Sequence, residues 1–205
     1  MKNLAIIFAL LMAWAHNGIS ADAAAGKSNS VACSACHGAD GNSAAASFPK
    51  LAGQGEVYLL KQMRDIRDGN RPVPTMAGQL NGKSDEDLAD LAAYYSAQVK
   101  SGGTTKPELL DLGQKVYRAG IAARNIPACS ACHAPTGHGN APAGYPSLAG
   151  QHAEYTATQL KMYRKGYQDD SGRTNDGNAK IMRTIAFGLS DKEIEAVASY
   201  IAGLK

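Results

Sequence analysis

The pentapeptide CSACH occurs at Cys33–His37 and again, letter for letter, at Cys129–His133. The repetition extends well beyond it. A shift of 96 residues superposes the two pentapeptides, and a shift of 97 lays FPKLAGQ (Phe48–Gln54) on YPSLAGQ (Tyr145–Gln151). At that offset Tyr58 meets Tyr155, Gln62 meets Gln159 and Gly69 meets Gly166. The second half then gains nine residues around DDSGRTNDGNAK, after which the offset is 106. Met76 now meets Met182, and SDEDL (Ser84–Leu88) meets SDKEI (Ser190–Ile194). A chain written twice folds as two like units. Two copies do not make a solenoid, so each unit must hold its own core.

The opening stretch, MKNLAIIFALLMAWAHNGISADA, has the pattern of a cleavable export signal: Lys2, an apolar run from Leu4 to Ala15, then small residues. That run is too short to span a bilayer comfortably. Cleavage is expected after Ala21 or Ala23, with export to an oxidising compartment. The organisation expected is a signal at 1–21, a first domain at 22–100, a linker at 101–107 and a second domain at 108–205. The linker lies in KSGGTTKP, rich in glycine and threonine and closed by proline. The net charge is +3, without any lysine or arginine run, which argues against a nucleic-acid partner. No later stretch is apolar enough for a membrane helix, so the mature chain is expected to be soluble or at most peripherally attached. No oligomer is expected.

Each unit reads as all-α. A short helix near Gly26–Ala32, or Leu109–Ala119, leads into the cysteine motif. A middle helix follows LAGQ, at about Glu56–Asp68 and Ala153–Lys165. The last helix opens at Ser84 or Ser190, with a capping-box Glu193 in the second unit and the looser Asp87 in the first. Apolar residues then step by three and four along one face, at Leu88, Leu91, Tyr95 and at Ile194, Val197, Ile201. Aromatic residues make up only 6% of the chain, and the cysteine loops hold little but Gly, Ala, Ser and Asn. Something besides side chains must fill the middle of such small units.

C-x-x-C followed by His narrows what that filler is. Four thiolates on one zinc would require the two identical units to share a site. A thioredoxin-type pair expects a βαβ setting, and none is present. A disulfide across so short a loop staples little and leaves the histidine unexplained. Covalent attachment of haem c accounts for all three residues. Cys33, Cys36, Cys129 and Cys132 would bond the two porphyrins, one per domain, and His37 and His133 would face the irons.

A sixth ligand closes the iron of an electron carrier, and methionine raises its potential. Of Met63, Met76, Met162 and Met182, only Met76 and Met182 correspond across the repeat, and both read as loop residues. Met63 and Met162 read as core filling in the middle helices. His138 and His152 are rival ligands without repeat partners, read as surface or pocket-edge residues. Pro49 and Pro146 follow the histidines closely. Their carbonyls either accept the second ring N–H or the prolines only set a turn. Tyr58, Tyr155, Gln62 and Gln159 either meet haem propionates or pack helices.

With these residues in view, the chain resembles the cytochrome c4 family of dihaem periplasmic cytochromes. The likeness rests on both CSACH units, FPKLAGQ and YPSLAGQ, YLLKQ, RTNDG, IMR and the LSD before the last helix, and it covers essentially the whole mature chain. It implies two class I cytochrome c domains about a pseudo-twofold axis, with haem edges facing. It implies His–Met ligation by His37 with Met76 and by His133 with Met182. It implies electron transfer, commonly from a quinol-oxidising complex toward a haem–copper terminal oxidase. The loop NRPVPTMAGQLNGKS before the last helix of the first unit is shorter than the family leads one to expect. A dihaem peroxidase-like enzyme would need an iron without its methionine. A redox subunit docked on a membrane complex would carry no readable signature.

Overall fold

The computed structural model describes residues 21–205, so the expected signal at 1–21 lies almost wholly outside the described residues. Among the described residues the structure is helical. Extended pairing is limited to two isolated bridges, Ile121 with Ile126 and Asn140 with Tyr145.

The first unit contains α1 (Ala23–Asn29), α2 (Ser34–His37), α3 (Glu56–Arg67) and α4 (Asp85–Ser96). The second contains α5 (Leu110–Ala119), α6 (Ser130–His133), α7 (Ala153–Gln168), α8 (Ile181–Phe187) and α9 (Asp191–Gly203). Helix α1 begins earlier than the sequence suggests. The Asp22 carboxylate accepts the N–H groups of Ala24 at 2.7 Å and Ala25 at 3.3 Å, which caps the helix there. Ser84 and Ser190 both complete reciprocal capping boxes, with Asp87 serving as well as Glu193.

In each unit the first and last helices cross closely, α1 on α4 and α5 on α9. Glycine permits the approach. A methyl group on Gly26 would lie 2.0 Å from the Asp90 carbonyl oxygen, and one on Gly113 would lie 2.3 Å from that of Ala196. Asp90 and Ala196 correspond at the offset of 106. The crossing therefore repeats in both copies. The first core gathers Leu59, Leu80, Leu88, Leu91 and Tyr95, and the second Val116, Tyr117, Ile194, Val197 and Ile201. Arg67 and Arg164, equivalent residues in α3 and α7, pin those helices to the starts of α4 and α9 through Asp85 and Asp191.

The two units meet through a polar, buried interface with its own pseudo-twofold symmetry. Arg71 donates to Gln62 of its own unit at 2.9 Å, and to Gln159 at 2.9 Å and Tyr155 at 3.1 Å across the interface. Arg173 mirrors it, donating to Gln159 at 2.8 Å within its unit, and to Gln62 at 2.7 Å and Tyr58 at 3.3 Å across. The repeat pairs the tyrosines and glutamines. The arginines fall together only in space. The Arg71 N–H donates to the Asp65 carbonyl and the Arg173 N–H to that of Met162, both at 2.8 Å, and Asp65 and Met162 correspond.

Candidate haem sites

The CSACH segments form matching turns. In the first unit a short 3-10 turn, Val31–Cys33, runs directly into α2; in the second, Cys129 caps α6. All four thiols are unpaired. Cys33 packs against the first core and Cys129 against the second. Burial raises the pKa of the Cys33 thiol, and it pushes that of Cys129 up to about 11. Among the described residues no group of three or more His, Cys, Asp or Glu side chains is placed to hold a metal ion between them.

His37 and His133 end their short helices with only 7% and 6% of their surface exposed. His37 Nδ1 lies 3.0 Å from the Pro49 carbonyl oxygen, and His133 Nδ1 lies 2.9 Å from that of Pro146. A carbonyl can only accept, so Nδ1 carries the proton and Nε2 keeps its lone pair. Burial lowers the pKa of both imidazoles, against the opposing pull of those carbonyls, which favours the neutral ring that binds a metal. Phe48 and Tyr145 meet the rings edge-on, each at 6.2 Å. Of the two readings for the prolines, the structure supports the acceptor.

The methionines require a correction. Met76 is half-buried at the end of the 3-10 turn Pro74–Met76 and packs against the same core as Cys33. Met182 is also half-buried but lies in the first turn of α8, not in a loop. The inserted segment explains the extra helix. Asp176 accepts the Arg183 N–H at 3.0 Å and pairs with its buried guanidinium, while the Gly177 carbonyl accepts from the same guanidinium. These contacts anchor the start of α8. Met63 packs against the first core. His138 is exposed. His152 lies within the interface, with Nε2 2.9 Å from the Ser43 carbonyl oxygen of the first unit.

A model of the cytochrome c family matches residues 23–96 and 110–205. Cytochrome c4 of Azotobacter vinelandii is 53% identical over 192 residues, covering 89% of either chain. Cytochrome c4 of Pseudomonas aeruginosa is 52% identical over 202 residues, covering 97% of this chain and 98% of its own. The crystal structure of reduced recombinant cytochrome c4 from Pseudomonas stutzeri superposes with a TM-score of 0.87 at 51% identity, over 91% of this chain and all of that one. The chain belongs to the cytochrome c4 family. It is a dihaem c-type cytochrome of electron transfer, and each of its two cytochrome c domains binds one haem c.

Features beyond the motifs suit cytochrome c4 cofactors. Arg71 and Arg173 are 8% and 5% exposed, and their side-chain partners are neutral oxygens. The Arg173 ring-face contact with Tyr163, at 4.4 Å, adds no countercharge. Two buried cations side by side call for anions, and each haem carries two propionates. Although desolvation opposes it, the field of Arg173 and Arg71 lowers the pKa of the Tyr58 phenol. The sequence named the tyrosines and glutamines of this cluster but not the arginines. Arg173 sits in the insertion, where no offset pairs it with Arg71.

Proposed function

We propose that Cys33 and Cys36 hold one haem by thioethers and Cys129 and Cys132 the other. His37 and His133 are the proximal iron ligands, and Met76 and Met182 the distal ones. The proton-bearing Nδ1 of each histidine, fixed on a proline carbonyl, carries this reading, because it aims a free Nε2 lone pair away from the loop. Arg71 and Arg173 sit where they can neutralise propionates at the interface. When bound, haem c supplies an iron that cycles between ferric and ferrous states.

The protein's part is to hold that site unchanged through the cycle. Buried histidines on rigid turns, and methionines on short anchored segments, limit rearrangement when the charge changes. We read the protein as a periplasmic carrier that takes electrons from a quinol-oxidising complex or other donor and delivers them toward a haem–copper oxidase. The domains are those at 22–100 and 108–205, joined by 101–107. A leader cleaved after Ala21 would keep Asp22 and its cap on α1.

The test is the visible spectrum of the reduced, periplasmically expressed protein with and without carbon monoxide. The wild type should not respond. Met76→Ala and Met182→Ala should each make half of the haem signal responsive. A wild type that responds, or a variant that does not, would overturn the distal assignment.

A further inference from the structure

Each domain reaches into the other with one glutamine amide. Gln151 Oε1 accepts the Lys50 N–H at 2.9 Å, and its Nε2 donates to the Lys50 carbonyl at 2.9 Å. Gln54 does the same in reverse, accepting the Ser147 N–H at 2.6 Å and donating to the Ser147 carbonyl at 3.0 Å. Gln54 and Gln151 correspond in the repeat, as do Lys50 and Ser147. Both glutamines are 5% exposed. Each is also locked by the next backbone N–H, Gly55 onto Gln54 and His152 onto Gln151.

The choice of peptide matters. The Lys50 N–H and the Pro49 carbonyl belong to one planar, conjugated amide. Its carbonyl holds His37 and its N–H is held by Gln151. The amide joining Pro146 to Ser147 likewise holds His133 on one side and is held by Gln54 on the other. An acceptor on the N–H of an amide makes its carbonyl a stronger acceptor, because hydrogen bonds in a chain polarise one another. A stronger acceptor on Nδ1–H makes the imidazole a more basic ligand.

We propose that Gln54 and Gln151 are crossed positioning residues: Gln54 tunes the iron ligand of the second domain, and Gln151 that of the first. This rests on His37 and His133 being the proximal ligands. A more basic imidazole favours the ferric iron. Breaking the relay therefore moves the affected haem toward the ferrous state, and that haem lies in the domain opposite the substitution.

The experiment is a redox titration of the holoprotein, with each haem followed through its own paramagnetically shifted methyl resonances. Gln54→Met should shift the second-domain haem a few-fold toward ferrous and leave the first-domain haem in place. Gln151→Met should do the converse. His152→Ala removes another contact across the interface but touches neither proline amide, and should move neither haem in this selective way. Equal shifts of both haems, a shift confined to the substituted domain, no shift, or a His152→Ala variant that reproduces the pattern would each overturn the proposal. If the Met variants do not yield two low-spin haems, Gln54→Glu and Gln151→Glu carry the test. Their carboxylates keep the acceptor oxygen, and the opposite haem should move toward ferric; movement toward ferrous or none would overturn the proposal. The ligand assignment is tested separately by His133→Gly. An unchanged low-spin spectrum there would remove the assignment itself.

Discussion

Replacing Ala134 with glycine should stabilise the second domain. The residue after His133 has φ 65° and ψ 155°, and its counterpart after His37, Gly38, has φ 78° and ψ 154°. This region is essentially reserved for glycine, and a side chain there costs about 1–3 kcal/mol. Glycine returns about 0.4–1 kcal/mol of that through the extra freedom of the unfolded chain. The net gain for Ala134→Gly is about 1 kcal/mol, which for a domain of this size raises Tm by about 4–8 °C. The carbonyl that accepts from the Tyr117 hydroxyl at 2.7 Å is kept. The converse change, Gly38→Ala, meets the same backbone penalty and also places a methyl group 2.8 Å from the Asn42 carbonyl oxygen. It should destabilise by more than Ala134→Gly stabilises. Thermal unfolding of the holoprotein, followed by haem absorbance and far-ultraviolet circular dichroism, reads both. If Ala134→Gly leaves Tm unchanged or lowers it, or if both variants shift Tm the same way, backbone strain at this turn is not what separates the two copies.

Two further changes test the packing and the charge of the same framework. Gly113→Ala forces a methyl group against the Ala196 carbonyl and the Tyr200 side chain at the α5–α9 crossing, and should cost about 1–3 kcal/mol or more by urea denaturation. Lys100, desolvated and close to the Lys50 ammonium, is held near a pKa of about 8, against 10.5 for an ordinary lysine. The folded state thus sheds a proton before the unfolded one does, so its handicap is full below about pH 8 and is relieved as the pH rises toward 10.5. Urea midpoints should climb across that window in the wild type, and Lys100→Met should reduce the climb.

What could be read from the residues was local or repeated. Capping serines, the apolar stripes of α4 and α9, and CSACH carry their meaning within a few positions, and duplication showed which methionines to compare. The insertion defeated that comparison in two places. It builds α8 around the Asp176–Arg183 pair, which moves Met182 from a loop onto a helix. It also carries Arg173, whose equivalence to Arg71 is visible only in the backbone. The interface was illegible for a different reason. Gln54 and Gln151 stand out as repeated residues, yet the partner of each lies in the other copy, 93 and 101 positions away. No periodicity reports a contact at that distance. His152, expected at the surface or at a pocket edge, lies half-buried in the interface, and its partner Ser43 is 109 positions away.

The linker, though rich in glycine, is fastened along its length. Ser101 donates its N–H to Asn42, the carbonyls of Ser101 and Gly102 accept the Lys50 ammonium, and the Lys106 N–H donates to Ser199. Gly103 lies so close to α9 that a methyl group there would stand 2.9 Å from the Ala202 carbonyl oxygen. A tether held at that many points is not a hinge. An electron passing from one haem to the other would then cross a fixed gap, not an average over swinging geometries. Hopping within the molecule should keep the same rate in a viscous solvent as in water.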